Sequence, residues 1–349
     1  MNDNHLLATV HELARPRIIP LADNLTAVAF DLMKLRPALY CIDRALERGQ
    51  VEPGGLVVES SSGTMGRGLA MAARARGLEF IMVTDPPSYA EVGSLIEQLG
   101  AKVLVIEAQN KEKAQAARLE LLMKVRAENP GAYWPQQYEN PCNPESYATV
   151  AAQIVEEIGV PDCVVATVGS GGSSGGLATF LRQLNPALRL VGVDAYGSCI
   201  FGLQAGPSLM RGMGSGIPMK NVVHTSYDEV HWIRDLEAFA AARRLFKAHT
   251  AFYGPTSGAA HLVASWYAKK HPDQRVVCVF PDSGARYQNT CYRDEWLAEK
   301  GARLEPPPSE PIPVQALPIG GKRWSVLAWN RQPLAFWQQR LPPAQDRAG

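Results

Sequence analysis

The sequence predicts an α/β protein of two domains, each built on a mostly parallel, twisted sheet flanked by helices. Short apolar runs typical of buried strands alternate with helical segments through most of the chain. With 349 residues, the chain is long enough for two domains that each have a sizeable core. A glycine- and serine-rich loop also joins one of the buried runs to the helical segment that follows it.

The predicted strands and helices alternate for most of the length. Apolar and β-rich runs predict strands at 56–59, 79–85, 101–107, 163–168, 188–194 and 275–280. Helical periodicity or alanine-rich composition predicts helices at 66–76, 89–99, 111–127, 146–158, 176–184, 235–248 and 258–270. A loop rich in Pro, Asn and Tyr at 130–144 marks a domain junction, and the sequence contains no internal repeat.

The C-terminal segment interrupts the alternation. Residues 306–318 form a proline-rich linker, and the tail beyond it is rich in aromatic residues. Such a cluster needs a surface to cover, so we expect it to pack on the body or on a neighbouring subunit. The aromatic residues are Trp324, Trp329, Phe336 and Trp337.

Composition narrows the class of protein. Lys and Arg total 35 and Asp and Glu total 34, so the charge balance does not indicate binding to nucleic acid or to an acidic membrane surface. A small-molecule partner is favoured.

The spacing of the cysteines fits reduced thiols better than a disulfide framework or a zinc site, and neither a secretory signal nor a membrane-spanning run is recognised. The sequence therefore predicts a cytoplasmic protein without a metal. The cysteines are Cys41, Cys142, Cys163, Cys199, Cys278 and Cys291.

The strongest local motif is the loop VGSGGSSGG (168–176), which lies between a predicted strand and a predicted helix. Glycines expose backbone N–H groups, and the positive helix N-terminus adds to an anion cradle. A dinucleotide fingerprint, a nucleophile elbow centred on Ser173, a phosphate cup for another cofactor and a merely flexible turn all fit. The first would use Asp194, and the second would also need a histidine such as His224, His231, His249 or His261.

A second loop, ESSSGTMG (59–66), also joins a strand to a helix. Hydroxyls and amides at a helix N-terminus bind a carboxylate well, although one serine would suffice as a helix cap.

Read together, these loops and five other segments resemble the fold type II pyridoxal-phosphate-dependent family of cysteine synthases and cystathionine β-synthases. The resemblance runs from about Ile18 to Gly301, with every motif in order. The other segments are MKLRPALYCIDRALERGQVEPGG (33–55), QYENPCNPES (137–146), MRGMGSGIP (210–218), YGPTSGAA (253–260) and FPDSGARY (280–287).

The resemblance implies a fold like that of the tryptophan synthase β subunit, with pyridoxal 5′-phosphate in the interdomain cleft. Lys34 falls on the Schiff-base lysine, the catalytic residue, and Ser283 on the serine that binds the pyridine nitrogen. The implied cofactor-binding residues are Lys34, Thr64, Gly169, Ser170, Gly171, Gly172, Ser173 and Ser283. The implied substrate-binding residues are Ser61, Ser62, Gly63, Met65, Gln137 and Gly214.

Several family positions are altered. Leu35 follows the lysine where the family has aspartate, Thr64 replaces an asparagine that contacts the cofactor, and Met65 replaces a threonine that binds the substrate carboxylate. The family's histidine after the 137–146 run is missing, and Ala285 replaces a glutamate. The cofactor anchors are intact while the substrate loop is changed, which favours a leaving group or nucleophile other than those of ordinary cysteine synthesis.

The resemblance implies β-replacement on a serine-derived amino acid such as O-acetylserine or O-phosphoserine, through an aminoacrylate intermediate. The alternatives are β-elimination by a lyase or deaminase, a serine hydrolase acting through Ser173, and a non-catalytic binding protein. The family also implies a homodimer. We expect a smaller mobile domain at 36–141, a larger cofactor-binding domain at 1–35 plus 142–304, and a linker and tail at 305–349.

Overall fold

A computed structural model describes residues 3–61, 63–107, 111–321 and 323–340 of the chain. The chain divides into two units. The smaller unit comprises the described residues of 1–15 and 32–146, and the larger unit those of 16–31 and 147–349. Helices and strands alternate in both, and the predicted α/β class is confirmed.

The described residues form eleven strands and twelve helices. The strands are β1 (Arg17–Ala22), β2 (Leu25–Ala29), β3 (Leu56–Ser60), β4 (Glu79–Thr84), β5 (Lys102–Val105), β6 (Cys163–Thr167), β7 (Arg189–Ala195), β8 (Glu229–Ile233), β9 (Val276–Phe280), β10 (Ile312–Val314) and β11 (Ser325–Ala328). The helices are α1 (Asp3–Leu13), α2 (Leu35–Glu47), α3 (Thr64–Ala75), α4 (Pro86–Gln98), α5 (Lys111–Glu128), α6 (Cys142–Glu145), α7 (Ala148–Ile158), α8 (Gly172–Leu181), α9 (Asp235–His249), α10 (Pro255–Lys270), α11 (Asp294–Glu299) and α12 (Leu334–Gln338).

The smaller unit is built on the parallel sheet β3-β4-β5. Helix α1 also belongs to this unit because it packs on α2 and α3 and buries Val10 and Ala14. The sequence-based division had assigned that segment to the larger domain. The mobility of the smaller domain stays a prediction.

The larger unit is built on an eight-stranded sheet in the order β1-β2-β9-β6-β7-β8-β11-β10. Its centre, from β2 to β8, is parallel, and every residue of β6 and β9 is buried. Strands this apolar need helices on both faces of the sheet. The tail joins this unit because β11 pairs antiparallel with β8, from Ser325 opposite Trp232 to Ala328 opposite Glu229.

No disulfide forms among the described residues, which include all six cysteines. In the described part of the chain, no helix combines the length and the apolar character needed to cross a bilayer.

Candidate functional site

The glycine-rich loop lies at the carboxyl end of β6 in the larger unit and leads directly into α8. Gly171 has φ of +83°, in the left-handed region that favours glycine. A Cβ atom there would lie 2.7 Å from the Asn221 carbonyl oxygen, and one on Gly169 would lie 3.0 Å from the Gly212 carbonyl oxygen. Glycine is required at Gly171 and favoured at Gly169, and the first-turn amides of a helix have no intrahelical acceptor. The loop is therefore suited to cradle an anion such as a phosphate.

The serines of this loop have different surroundings. Ser174 is fully buried, and its hydroxyl lies 2.8 Å from the Tyr227 hydroxyl. Ser170 and Ser173 are each 8% exposed. Among the residues that the structure describes, no hydrogen bond joins Ser173 to a histidine. The geometry thus gives no support to a nucleophile elbow.

A second glycine segment, containing Gly214, lies directly beside the cradle. The Gly214 amide donates to the Val168 carbonyl at 2.8 Å, and its φ is +77°. A Cβ on Gly214 would lie 3.4 Å from Oδ1 of Asp194. Asp194 is fully buried at the end of β7, and burial raises the pKa of its carboxyl to about 7. It supports the Gly214 segment from within, which is not the solvent-facing placement that a dinucleotide fingerprint requires.

Ser283 follows β9 in the same unit. Its amide donates to the Asp31 carbonyl at 3.2 Å, and its hydroxyl accepts from the Ala285 amide at 3.3 Å. The side chain thus caps a short 3₁₀ turn. A hydroxyl has a second lone pair and one proton, so this cap leaves one acceptor position and one donor for further hydrogen bonds.

Lys34 lies immediately before α2 in the smaller unit. Gly68 of α3 lets the two segments approach closely, since a Cβ there would lie 2.8 Å from the Lys34 carbonyl oxygen. Burial lowers the pKa of Lys34 from 10.5 to about 8, and the nearby Cys41 opposes this shift slightly. The amine is therefore far more available in its neutral, nucleophilic form near neutral pH than an ordinary lysine.

The serine loop joins β3 to α3. The Ser61 hydroxyl accepts from the Gly63 amide at 3.2 Å and from the Gly66 amide at 2.9 Å, and the Ser61 carbonyl accepts from the Thr84 hydroxyl at 2.7 Å. Gly63 has φ of +155°. Thr64 is the first residue of α3 and is half-buried. The loop is held firmly, with its amides gathered at a helix N-terminus.

Of two further residues of this loop that were predicted to bind substrate, the structure describes Met65 but not Ser62. Met65 is only 2% exposed and packs with Leu69 and Val57 in the apolar core of the smaller unit. Its contact with a substrate stays a prediction. Ser62 lies outside the described residues.

Sequence reasoning did not select Glu59, which ties the serine loop to Gln137. Its carboxylate accepts from the Ser60 amide at 2.9 Å, from the Trp134 indole at 3.0 Å and from the Gln137 amide at 3.4 Å. Glu59 is 3% exposed, and burial raises the pKa of its carboxyl to about 7. One buried side chain therefore fixes the spacing of two segments predicted to bind substrate. The sequence signal that could have identified Glu59 is an acidic residue at the end of an apolar run.

Arg118 is a second residue that the sequence did not reveal. It forms an ion pair with Asp85, which also caps α4 by accepting from the Ser88 amide at 3.0 Å. Both side chains of the pair are only 12% exposed. Asp85 directly follows Thr84, whose hydroxyl donates to the Ser61 carbonyl, so the ion pair is one residue along the chain from a contact of the serine loop. In the sequence, Arg118 looked like one more solvated residue of a charged helix.

Comparison with known proteins identifies the family of the chain. The family model described as pyridoxal-phosphate dependent enzyme matches residues 33–282. The chain belongs to this family. Its cofactor is pyridoxal 5′-phosphate, and the predictions of family and cofactor from the sequence are confirmed.

The relatives indicate the branch of the family. The chain is 34% identical over 297 residues to N-(2-amino-2-carboxyethyl)-L-glutamate synthase of Cupriavidus metallidurans, covering 82% of this chain and 87% of that protein. It is 34% identical to the enzyme of the same name from Ralstonia nicotianae, covering 77% and 81%. The solved O-acetylserine dependent cystathionine beta-synthase from Helicobacter pylori matches with a TM-score of 0.73 and 28% identity, covering 80% of this chain and 96% of that one. The chain is an enzyme of the cysteine synthase type.

The described residues fit the cofactor. The glycine cradle has the shape and polarity that a phosphate monoester needs, and a lysine with a lowered pKa supplies the amine that reacts with an aldehyde. Ser283 offers a neutral hydroxyl, which suits a pyridine nitrogen that is not protonated.

Proposed function

We propose that this enzyme replaces the β-substituent of a serine-derived amino acid with the amino nitrogen of a second amino acid, with L-glutamate as the leading nucleophile. The observation that carries this proposal is a buried lysine of lowered pKa and a glycine cradle in a chain 34% identical to two glutamate-modifying synthases. The name of those relatives describes glutamate whose nitrogen bears a 2-amino-2-carboxyethyl group. That group is the three-carbon skeleton of serine after loss of its β-substituent.

The altered substrate loop supports a nucleophile other than sulfide. Met65 cannot donate a hydrogen bond where the family's threonine does, and its burial in the core removes it as a polar contact.

The roles of the chain's own residues follow from their chemistry. Bound pyridoxal phosphate supplies an electron-withdrawing ring that acidifies the α-proton of an attached amino acid. Lys34 would hold the cofactor covalently through Nζ and would accept the α-proton of the substrate at the same atom. Gly169, Ser170, Gly171, Gly172 and Ser173 hold the phosphate through backbone amides and hydroxyls.

The remaining predicted residues orient the substrate. Ser61, Ser62, Gly63 and Gln137 bind the substrate carboxylate, while Thr64 and Ser283 contact the cofactor ring and Gly214 lines the substrate site. Because Glu59 fixes the serine loop against Gln137, these donors are preorganised before substrate arrives. We also propose that the enzyme works as a homodimer in the cytoplasm, as the family resemblance and the reduced cysteines suggest.

A matrix of substrates tests this function. O-phosphoserine, O-acetylserine and serine would each be combined with L-glutamate, L-aspartate or sulfide, and products would be identified by mass spectrometry with pyruvate measured in parallel. We expect the glutamate adduct to form with one of the activated serines, with little pyruvate. Pyruvate as the main product under every condition would instead establish the β-elimination lyase. Efficient cysteine formation without an amine adduct would establish an ordinary cysteine synthase.

The lowered pKa of Lys34 predicts how cofactor attachment depends on pH. Only the neutral amine attacks the aldehyde, and a pKa of about 8 means that its neutral fraction rises as pH increases through 8 and levels off above it. The rate of covalent attachment to apoenzyme, followed by absorbance in a stopped-flow instrument, should therefore rise from pH 6 and reach a plateau near pH 9. A rate still climbing about tenfold between pH 8 and pH 9 would show an ordinary lysine pKa.

Glu59→Gln should weaken substrate binding more than catalysis. Glutamine can keep the oxygen that accepts from Ser60 and Trp134, but it places an NH₂ group against the Gln137 amide. An unsatisfied buried donor costs about 1–3 kcal/mol, which corresponds to a KM for the serine derivative raised roughly tenfold. Steady-state kinetics measure the effect.

Asp43→Asn is the matched control for Glu59→Gln. Asp43 is a half-buried carboxylate of the same unit, where it pairs with Arg76 at 2.7 Å. Its replacement should lower the unfolding temperature and leave KM unchanged. If Glu59→Gln alters only the unfolding temperature as well, Glu59 has no positioning role.

A further inference from the structure

The tail of the larger unit lies beyond Asp282, where the family match ends. It packs on the larger unit at two separate places. Trp324 and β11 cover β8, whereas Trp329 and the residues after it cover the segment around Phe201 and Tyr227. The second contact leads to the phosphate cradle.

Trp329 begins a series of buried aromatic contacts. Its side chain is fully buried, and its ring lies edge-to-face with Phe201 at 5.1 Å between centroids. Phe201 in turn meets Tyr227 edge-to-face at 4.9 Å. Edge-to-face pairs at these distances contribute stabilisation beyond the burial of their area and favour one orientation of the rings. The position of the Tyr227 ring is therefore fixed from the side of the tail.

Backbone amides of the tail also hold Tyr227 and the residue after it. The Arg331 amide donates to the Tyr227 carbonyl at 2.8 Å, and the Asn330 amide donates to the Asp228 carbonyl at 2.9 Å. Both tail residues have positive φ, 57° and 52°, in the left-handed region that non-glycine residues rarely adopt. Arg331 Nε also donates to Asp228 Oδ1 at 2.9 Å. A strained turn with three hydrogen bonds to two consecutive residues indicates a specific contact.

A hydrogen bond between Tyr227 and Ser174 connects the tail contact to the cradle. The Tyr227 and Ser174 hydroxyl groups share a hydrogen bond at 2.8 Å, and the Ser174 hydroxyl also donates to the Gly171 carbonyl at 3.4 Å. Burial raises the pKa of Tyr227, which keeps its hydroxyl protonated. The Tyr227 ring also lies against Gly192 of β7, where a Cβ would be 2.8 Å from the ring.

We propose that the tail, through Trp329, Phe201 and Tyr227, positions Gly171 and Ser174 so that the cradle binds the phosphate of pyridoxal phosphate tightly. These are positioning residues, since none of them belongs to the cradle. The inference rests on the proposed assignment of the cradle as the phosphate site. It assigns to the tail a function in cofactor retention.

The test is the dissociation constant of pyridoxal phosphate from apoenzyme variants, with the unfolding temperature of each apoenzyme as a second readout. Tyr227→Phe removes one hydroxyl and should raise the dissociation constant about fivefold to tenfold. Trp329→Ala should raise it by a similar factor, and Trp329→Phe should restore most of the binding. Because both residues act through one contact, the double variant should bind about as weakly as the weaker single variant.

Trp324→Phe is the control within the tail. The Trp324 indole donates to His231 Nδ1 at 3.0 Å and supports β8, and among the described residues its ring packs with those of His231 and Trp266. This variant should lower the unfolding temperature and leave cofactor binding within twofold of the parent protein. Equal loss of cofactor affinity in Trp324→Phe and Trp329→Ala would mean general destabilisation and would overturn the proposal.

The variant Ser173→Ala distinguishes a failure of the inference about the tail from a failure of the cradle as the phosphate site. If Ser173→Ala weakens cofactor binding while Tyr227→Phe and Trp329→Ala both leave it within twofold, the inference about the tail fails alone. If Ser173→Ala and both tail-side variants bind as well as the parent protein, the cradle is not the phosphate site. Should Trp329→Ala fail to fold, Tyr227→Phe and Trp329→Phe decide the question in the same assay.

Discussion

Lys34→Ala is expected to lower turnover by roughly 10³–10⁴-fold, because the variant loses both the covalent anchor and the base for the α-proton. The buried amine of Lys34, with its pKa lowered to about 8, is suited to both tasks. No neighbouring side chain can substitute for an amine in Schiff-base attachment. The measurement is the initial rate with the best substrate pair, at saturating cofactor.

The control for this variant is Lys124→Ala. Lys124 lies on α5 with its side chain 68% exposed and forms an ion pair with Glu120 at 3.7 Å. Exposed pairs of this kind contribute little, so the variant should retain full activity. A Lys34→Ala protein that keeps more than about a tenth of the parent activity would contradict the role of this lysine as base.

Gly171→Ala is expected to raise the dissociation constant of pyridoxal phosphate roughly a hundredfold. An alanine at φ of +83° costs about 1–2 kcal/mol, and its Cβ would meet the Asn221 carbonyl oxygen at 2.7 Å. Relief of that clash requires the loop to move, for about 1–2 kcal/mol more, and each 1.4 kcal/mol corresponds to about tenfold in affinity. Fluorescence titration of apoenzyme measures the change.

Gly175→Ala tests whether the effect of Gly171→Ala comes from the cradle. Gly175 is in α8, and a Cβ there would contact only the Asn221 carbonyl oxygen, at an ordinary 3.8 Å. Alanine is also the better helix former by about 1 kcal/mol. This variant should bind the cofactor normally and unfold at the same or a higher temperature. Normal cofactor binding by Gly171→Ala would remove the loop from the site.

The sequence predicted the interior of the fold better than its edges. Runs such as 163–168 and 275–280 are apolar throughout, and only a strand buried on both faces satisfies such a run. Strands β1 and β10 at the edges of the eight-stranded sheet include exposed positions and a proline each, so their pattern was weak. The start of α8 at Gly172, four residues before the predicted start, is hidden by glycines and serines of low helix propensity.

The candidate site was predictable where a motif demands a particular residue type. Gly171 needs positive φ, and Lys34 needs an amine, so both stand out in an ordered set of motifs. Glu59 and Arg118 act through contacts with residues far away in the chain, such as Gln137 and Asp85, and spacing alone does not reveal such contacts. The tail was predicted to cover a surface, but its connection to Tyr227 depends on two positive-φ residues that no pattern indicates.

Identification of the lysine that carries the cofactor tests the central claim most directly. Holoenzyme would be reduced with borohydride and digested, and the modified peptide would be located by mass spectrometry. We expect a pyridoxyl group on the peptide containing Lys34, and no labelling of Lys34→Ala. Label on a different lysine, or cofactor that is bound but never fixed by reduction, would contradict the assignment.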